Sequence, residues 1–256
     1  MIIDTHAHLY YDDLLNNIDT ILEQAIAAGV ERIIVPAVDM ATSRTILELS
    51  SKHKMIFAAI GVHPCDVNKI KIDDFTELRD LLKHDKVVAV GETGLDYYWD
   101  KSNIKIQKQI FRKQIELALE NKLPVVIHTR DSIKDAIEII GEMKCPELKG
   151  QFHCFSGDEK DLECILRFDD FYVSFCGNIT YKKYEGREVI EAVPPERLLA
   201  ETDSPFLPPE PFRGKKNQPA WIVKSLEKIA ELKKIDPVNL ADLIHNNTIS
   251  LFYKLI

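Results

Sequence analysis

Short apolar runs alternate with longer amphipathic stretches from one end of the chain to the other. The runs are Ile2–His6, Arg32–Ala37, Ile56–His63, Val87–Glu92, Pro124–His128, Gly150–Cys154, Phe171–Cys176 and Leu198–Glu201. They are rich in β-branched side chains and mostly apolar throughout, the pattern of strands buried on both faces. Between them lie stretches with apolar residues at helical spacing, such as Leu14–Ala28, Asn103–Asn121 and Ile133–Glu142. Strands that alternate with helices predict a parallel α/β sheet. Eight such units predict a single (β/α)8 TIM barrel, with an open doubly wound sheet as the alternative.

Local signals sharpen this reading. Asp131-Ser132 is expected to cap the helix after the fifth strand. Asp236-Pro237 pairs a cap with proline at the first helical position, so a last helix should run through His245. Pro205–Pro219 gathers proline and glycine and reads as a long loop at the barrel mouth. No repeat or composition break divides the chain, so one domain over residues 1–256 is expected.

The polar residues gain meaning from where the strands end. In a parallel barrel the C-terminal strand ends form the active face. His6 and His8 close the first run, His63 the third, Glu92 the fourth, His128 the fifth and His153 the sixth, and Asp203 follows the eighth. The chain has eight histidines, and the remaining ones, His53, His84 and His245, fall in helical or linker stretches and read as ordinary surface or helix-end residues. Side chains two apart on a strand share a side, so His6 and His8 can both face the barrel axis and take one metal. A lone pair of this spacing is a weak signal. Joined by Glu92, His128, His153 and Asp203 on later strand ends, it is a strong one. Such a donor set suits Zn²⁺, Mn²⁺, Fe²⁺ or Ni²⁺, and Mg²⁺ where waters complete the shell.

Composition narrows the setting. The chain has 256 residues, 45% of them hydrophobic and 29% charged, an ordinary globular balance. The formal charge of −8 argues against a broad cationic face that clamps long duplex DNA. The five cysteines include no CxxC pair, which predicts free thiols in a reduced compartment. Cys154 should alternate away from His153 into the core. The opening Met-Ile-Ile-Asp-Thr-His has neither a basic nor a long apolar region, and no run reaches the ~20 apolar residues of a membrane span. A cytoplasmic location, no membrane and no obligatory protein partner are therefore expected.

The motifs Asp4-Thr5-His6-Ala7-His8-Leu9, Gly61-Val62-His63-Pro64, Gly91-Glu92-Thr93-Gly94-Leu95-Asp96, Ile127-His128-Thr129-Arg130, Phe152-His153-Cys154-Phe155-Ser156-Gly157 and Glu201-Thr202-Asp203-Ser204-Pro205 together resemble the TatD family of metal-dependent deoxyribonucleases, within the amidohydrolase-like barrels. The resemblance runs from residue 3 to the loop around Asn217 and takes in Arg213-Gly214-Lys215. It implies two divalent metal ions (Zn, Mg or Mn). His6, His8 and Asp203 would hold one, His128 and His153 the other, and Glu92 would bridge them. It implies that His63 contacts phosphate. It also implies DNA hydrolysis, notably trimming of a single-stranded or frayed 3′ end. Arg213 and Lys215 are candidate phosphate contacts, although charged loop residues are commonly only solvated.

Paired divalent ions suit direct attack of water on a phosphodiester, without a covalent enzyme intermediate. Asp203 is the candidate general base. His63, if protonated, would neutralise phosphate charge or donate to the leaving oxygen. Glu201 should stand behind the site at most, and Tyr97, Tyr98 and Trp99 would either stack on a base or pack the rim. The same donors would serve a small-molecule amidohydrolase, lactonase or phosphoesterase. A silent barrel that binds a partner is a third reading, disfavoured by the intact ligand set.

Overall fold

The computed structural model describes residues 1–70, 72–99 and 101–255, with the backbone alone for 72–74. The expected single domain over 1–256 thus takes in residues 71, 100 and 256, which lie outside the described residues. Eight parallel strands form one sheet in sequence order: β1 (Ile2–Asp4), β2 (Val30–Pro36), β3 (Ile56–Ile60), β4 (Val87–Asp96), β5 (Val125–Arg130), β6 (Gly150–Phe152), β7 (Phe171–Phe175) and β8 (Leu198–Ala200). The ring closes just beyond the ends of β8 and β1. Thr5 N–H donates to Ala200 O at 3.3 Å, His8 N–H to Ser204 O at 2.7 Å and Asp203 N–H to His6 O at 2.8 Å. This is a (β/α)8 barrel, not the open sheet. Among the described residues, no helix is long and apolar enough to cross a membrane.

Alternation along each strand divides the core in two. Ile33, Val35, Ile56, Ala58, Val125 and Ile127 belong to the large cluster that also holds helix residues such as Phe111, Ile115 and Ile139. Ile34, Ala59, Val88, Val126, Tyr172 and Leu199 form a second cluster with Leu251, Phe252 and Leu255. The second set is the barrel interior, and the C-terminal segment plugs it at the end away from the strand C-termini. Both faces of the sheet are therefore apolar, which is why the strands read as continuous hydrophobic runs.

Strand ends differ from expectation in an informative way. β1, β3, β6 and β8 stop before the candidate site residues, which stand on the turns just beyond. β4 instead runs on to Asp96. Its pairing with β5 jumps from Val90↔Val125 to Thr93↔Ile127, so Gly91 and Glu92 form a bulge. A bulge re-aims side chains, and here it turns Glu92 to the axis. Gly94 pairs with His128 at φ 132°, and a Cβ there would lie 2.1 Å from the His128 carbonyl oxygen. Only glycine lets β4 approach this closely.

Of the predicted caps, Asp236 holds. Its carboxylate accepts from Val238 and Asn239 N–H at the start of the helix Pro237–Leu251, which passes through His245. Ser132 does not cap the helix Ile133–Met143 with its side chain. It donates instead to Leu95 O at 2.6 Å and accepts from Arg130 N–H at 3.1 Å, tying β5 to β4. The stretch 14–28 is broken into the helices Asp12–Leu15 and Ile18–Ala27. Asn103–Asn121 becomes the helix Ile104–Asn121, with Asn103 at its start.

The barrel seam rests on Asp4. Its Oδ1 accepts from His6 N–H at 3.2 Å and Thr202 N–H at 2.9 Å, and its Oδ2 accepts from the Thr202 hydroxyl at 2.6 Å. Asp4→Ala would leave these buried donors unmatched, each at about 1–3 kcal/mol. We expect a loss of about 3 kcal/mol in urea unfolding. A wild-type midpoint and slope would show that the seam does not depend on this carboxylate.

Candidate metal centre

His6, His8, His63, Glu92, His128, His153 and Asp203 converge at the C-terminal end of the strands, and Glu92 stands between two groups of donors. Its Oε2 lies 3.4 Å from His6 Nε2 and 3.7 Å from His8 Nε2. Its Oε1 lies 2.9 Å from His128 Nδ1 and 2.8 Å from His153 Nε2. Asp203 Oδ1 completes the first group, 3.4 Å from His8 Nε2 and 3.7 Å from His6 Nε2. Sets His6–His8–Asp203 and His63–Glu92–His128 each bring their donor atoms within 4.8 Å of one another.

The spacing fits metal ligation. Bonds of about 2.0–2.1 Å at tetrahedral angles put ligand atoms roughly 3.3 Å apart, and right angles put them roughly 2.9 Å apart. The first group spans 3.2–3.7 Å and the second 2.8–3.2 Å. Lone pairs pressed together in a buried site repel unless a cation or protons lie between them.

The outward atoms of the histidines fix which nitrogen faces inward. His128 Nε2 meets Asp96 Oδ2 at 3.0 Å, which leaves Nδ1 for the centre. His153 Nδ1 lies 3.4 Å from Glu201 Oε1, and His8 Nδ1 lies 3.0 Å from the Tyr10 hydroxyl, which leaves Nε2 in both. Carboxylates behind ring N–H groups are the usual way proteins orient histidine ligands. His63 is different. Its Nδ1 accepts from Cys65 N–H at 3.1 Å, so the neutral ring carries its proton on Nε2, 3.5 Å from Glu92 Oε1. His63 therefore presents a donor to the site where the other histidines present lone pairs.

Electrostatics follow the same division. Burial alone would raise the Glu92 carboxyl, but His153, His63 and His6 outweigh it and hold it well below the usual carboxylate range. Burial would likewise raise Asp203, and His8 and His6 bring it below its ordinary value. Both acids are thus anionic at neutral pH. Burial drives the His63 imidazole down to about 3, against the pull of Glu92. The roles that depend on a protonated His63 therefore lack their condition at neutral pH, and the ring offers an N–H without charge.

Glu201 stands behind the site, as expected, and is fully buried: Oε1 also accepts from Cys154 N–H at 2.8 Å, and Oε2 accepts from Gln151 at 2.8 Å and Ser174 at 2.7 Å. Other expectations shift. Cys154 is half-buried rather than in the core, because it lies beyond β6 at φ 43°, where strand alternation no longer applies; its Sγ is 3.0 Å from that of Cys176. Arg213 and Lys215 are not drawn to the cluster. Their contacts run to Glu210, Tyr181 and Phe212.

The positioning roles of Asp96, Gln107 and Gln114 are not predicted from the sequence. On the helix Ile104–Asn121, Gln114 exchanges hydrogen bonds with both backbone groups of Val62, beside His63, and donates to Thr93 at 2.6 Å. One face-repeat earlier, Gln107 does the same with the backbone of Asp96. Their signal was a pair of polar residues seven apart on the apolar face of a helix.

The chain matches the family model described as "TatD related DNase" over residues 3–253. It belongs to the TatD family of metal-dependent hydrolases. It is 42% identical over 254 residues to YabD of Bacillus subtilis, described as an uncharacterized metal-dependent hydrolase, covering 98% of this chain and 99% of that one. Among solved structures it superposes on YjjV, a TatD homologue from Escherichia coli K12, with a TM-score of 0.94 at 31% identity over 98% of each chain. A TatD family hydrolase from Entamoeba histolytica gives 0.90 at 26% identity, over 99% of this chain and 98% of that one.

Two outcomes test the centre. Metal-stripped protein titrated with Zn²⁺ or Mn²⁺ should bind, and Glu92→Ala should lose most affinity for both ions, read by elemental analysis after dialysis. Asp96→Asn and Glu201→Gln should each weaken binding about 10–100-fold in calorimetric titration. Wild-type affinity in both would remove their orienting role.

Proposed function

We propose that this hydrolase is a deoxyribonuclease that trims single-stranded or frayed DNA from the 3′ end, using two divalent ions. The observation that carries the reading is the split of the Glu92 carboxylate between two donor groups, with the His63 N–H beside it. His6, His8 and Asp203 would hold one ion, His128 and His153 the other, and Glu92 both. The bound pair supplies Lewis acidity and charge neutralisation for a phosphodiester and lowers the pKa of the attacking water.

The protein side chains then divide the remaining work. Asp203 is the more open of the two acids, with 13% of its side chain exposed against 3% for Glu92. It is positioned to meet an incoming water and, being ionised, to take its proton at Oδ1 or Oδ2. His63 Nε2–H donates to a non-bridging phosphate oxygen and orients it, without bringing charge. Water oxygen bonds to phosphorus as the bond to the leaving 3′ oxygen breaks, and the leaving oxygen takes a proton from solvent. The formal charge of −8 fits a substrate held at one or a few phosphates.

The experiment is cleavage of a 5′-labelled single-stranded oligonucleotide by metal-loaded protein, with Asp203→Asn alongside. A ladder that shortens stepwise supports 3′ trimming. Asp203→Asn should keep most of its metal and lose roughly 10²–10⁴-fold in turnover. Full activity in that variant would end the general-base role. Stoichiometric metal binding with no cleavage of any oligonucleotide would instead point to a small-molecule ester or amide substrate.

A further inference from the structure

Exposed aromatic rings are unevenly placed on this molecule. Among the described residues, the large aromatic side chains with exposed surface are Tyr11, Tyr98, Trp99, Phe206 and Tyr253. Four of these five belong to the mouth that carries the candidate metal centre, and only Tyr253 lies in the C-terminal segment at the other end. The four form two separate pairs. Tyr11 and Phe206 meet edge-on at 5.4 Å between centroids, and each stands within 5.9 Å of the His8 ring. Tyr98 and Trp99 meet edge-on at 5.0 Å, and their backbone N–H groups both donate to Asp96 Oδ1 at 2.9 Å, the carboxylate whose Oδ2 holds His128. The first pair follows β1 and β8, the second follows β4. In a ring of eight strands those are opposite sides, with Glu92 and its donor groups between them.

We propose that the two aromatic pairs are stacking platforms for the nucleobases on either side of the cleaved phosphate. The inference rests on the nucleic-acid reading above and narrows it: the smallest good substrate is a dinucleotide unit, not a phosphate ester with one recognised group. Base–aromatic stacking is tolerant of sequence because every base has a π face. Exposed Trp99, at 68%, and Phe206, at 45%, each offer such a face at no cost in unpaired polar groups. Charge completes the second platform. The exposed Arg130 guanidinium lies 3.8 Å from the Tyr98 centroid and 5.2 Å from that of Trp99, so a base stacked there has a cation beside its phosphate. A neighbouring cavity of about 610 Å³ beyond Thr129 is lined by Asp131, Asp135, Asp158 and Asp161, with Lys134 as the one cation among the described residues of its lining. Those acids repel a polyanion and favour the path over Arg130.

The test combines binding and kinetics. The protein has two tryptophans, so Trp221→Phe leaves Trp99 as the single reporter. In that background with Asp203→Asn to block cleavage, metal-loaded protein should show quenched Trp99 emission as single-stranded oligothymidine is added. In the otherwise wild-type chain, Trp99→Ala and Phe206→Ala should each lower kcat/KM for the oligonucleotide about 5- to 100-fold, mainly through KM. Neither should alter hydrolysis of methyl p-nitrophenyl phosphate or metal content. Each loss should vanish on a substrate that is abasic at one of the two nucleotides flanking the cleaved bond, a different one for each variant. Cleavage that is indifferent to both substitutions overturns the platforms and leaves the nuclease reading intact. Quenching without cleavage keeps the platforms and ends the nuclease reading. Neither quenching nor cleavage removes both.

Discussion

One buried carboxylate organises the active end of this barrel. Glu92 sits where charge is costly, almost wholly out of water, and is tolerated only because histidines approach it from both sides. Its geometry comes from the backbone. The bulge at Gly91–Glu92 turns the side chain inward, and the missing Cβ of Gly94 lets the strand lie against His128. Every candidate ligand is measured from that point: Oε2 defines one group, Oε1 the other. A substitution that displaced Glu92 would therefore disturb both groups together rather than one.

Around that centre the protein spends its buried polar residues on orientation. Asp96 and Glu201 stand behind His128 and His153, Tyr10 behind His8, and Gln114 and Gln107 clamp the loop of His63 and the end of β4. Asp4 and Thr202 hold the seam from which His6, His8 and Asp203 project. Asp203 itself lies at φ 55°, a conformation uncommon outside glycine and kept here by backbone bonds through His6 O and Phe206 N–H. The rim has a complementary character. Its two aromatic pairs are attached to the same supports, His8 on one side and Asp96 on the other, so a ligand stacked there would be in register with the centre.

His63 shows how one hydrogen bond separates roles among identical side chains. It ends on the same face as the other histidines and lies as close to Glu92 as His6 does. The Cys65 N–H occupies its Nδ1 and fixes the proton on the inner nitrogen. The ring then presents an N–H to the site where the other histidines present a lone pair.

The sequence by itself determined the barrel and the membership of the cluster. Eight apolar runs at regular spacing leave few alternatives for a parallel sheet, and ligand-type residues at their ends fall on one face by the period of the strand. Those are local regularities, and local regularities survive in one dimension. Tertiary structure alone decided which nitrogen of each histidine turns inward, that Asp96 and Glu201 orient His128 and His153, that Ser132 ties strands rather than capping a helix, and that Arg213 and Lys215 stay outside the cluster. Most of the orienting contacts depend on a partner far away along the chain: 32 residues from Asp96 to His128, 37 from Leu95 to Ser132 and 48 from His153 to Glu201. No spacing rule carries such pairings, because they are set only when the ring closes and brings the strand ends to a common axis.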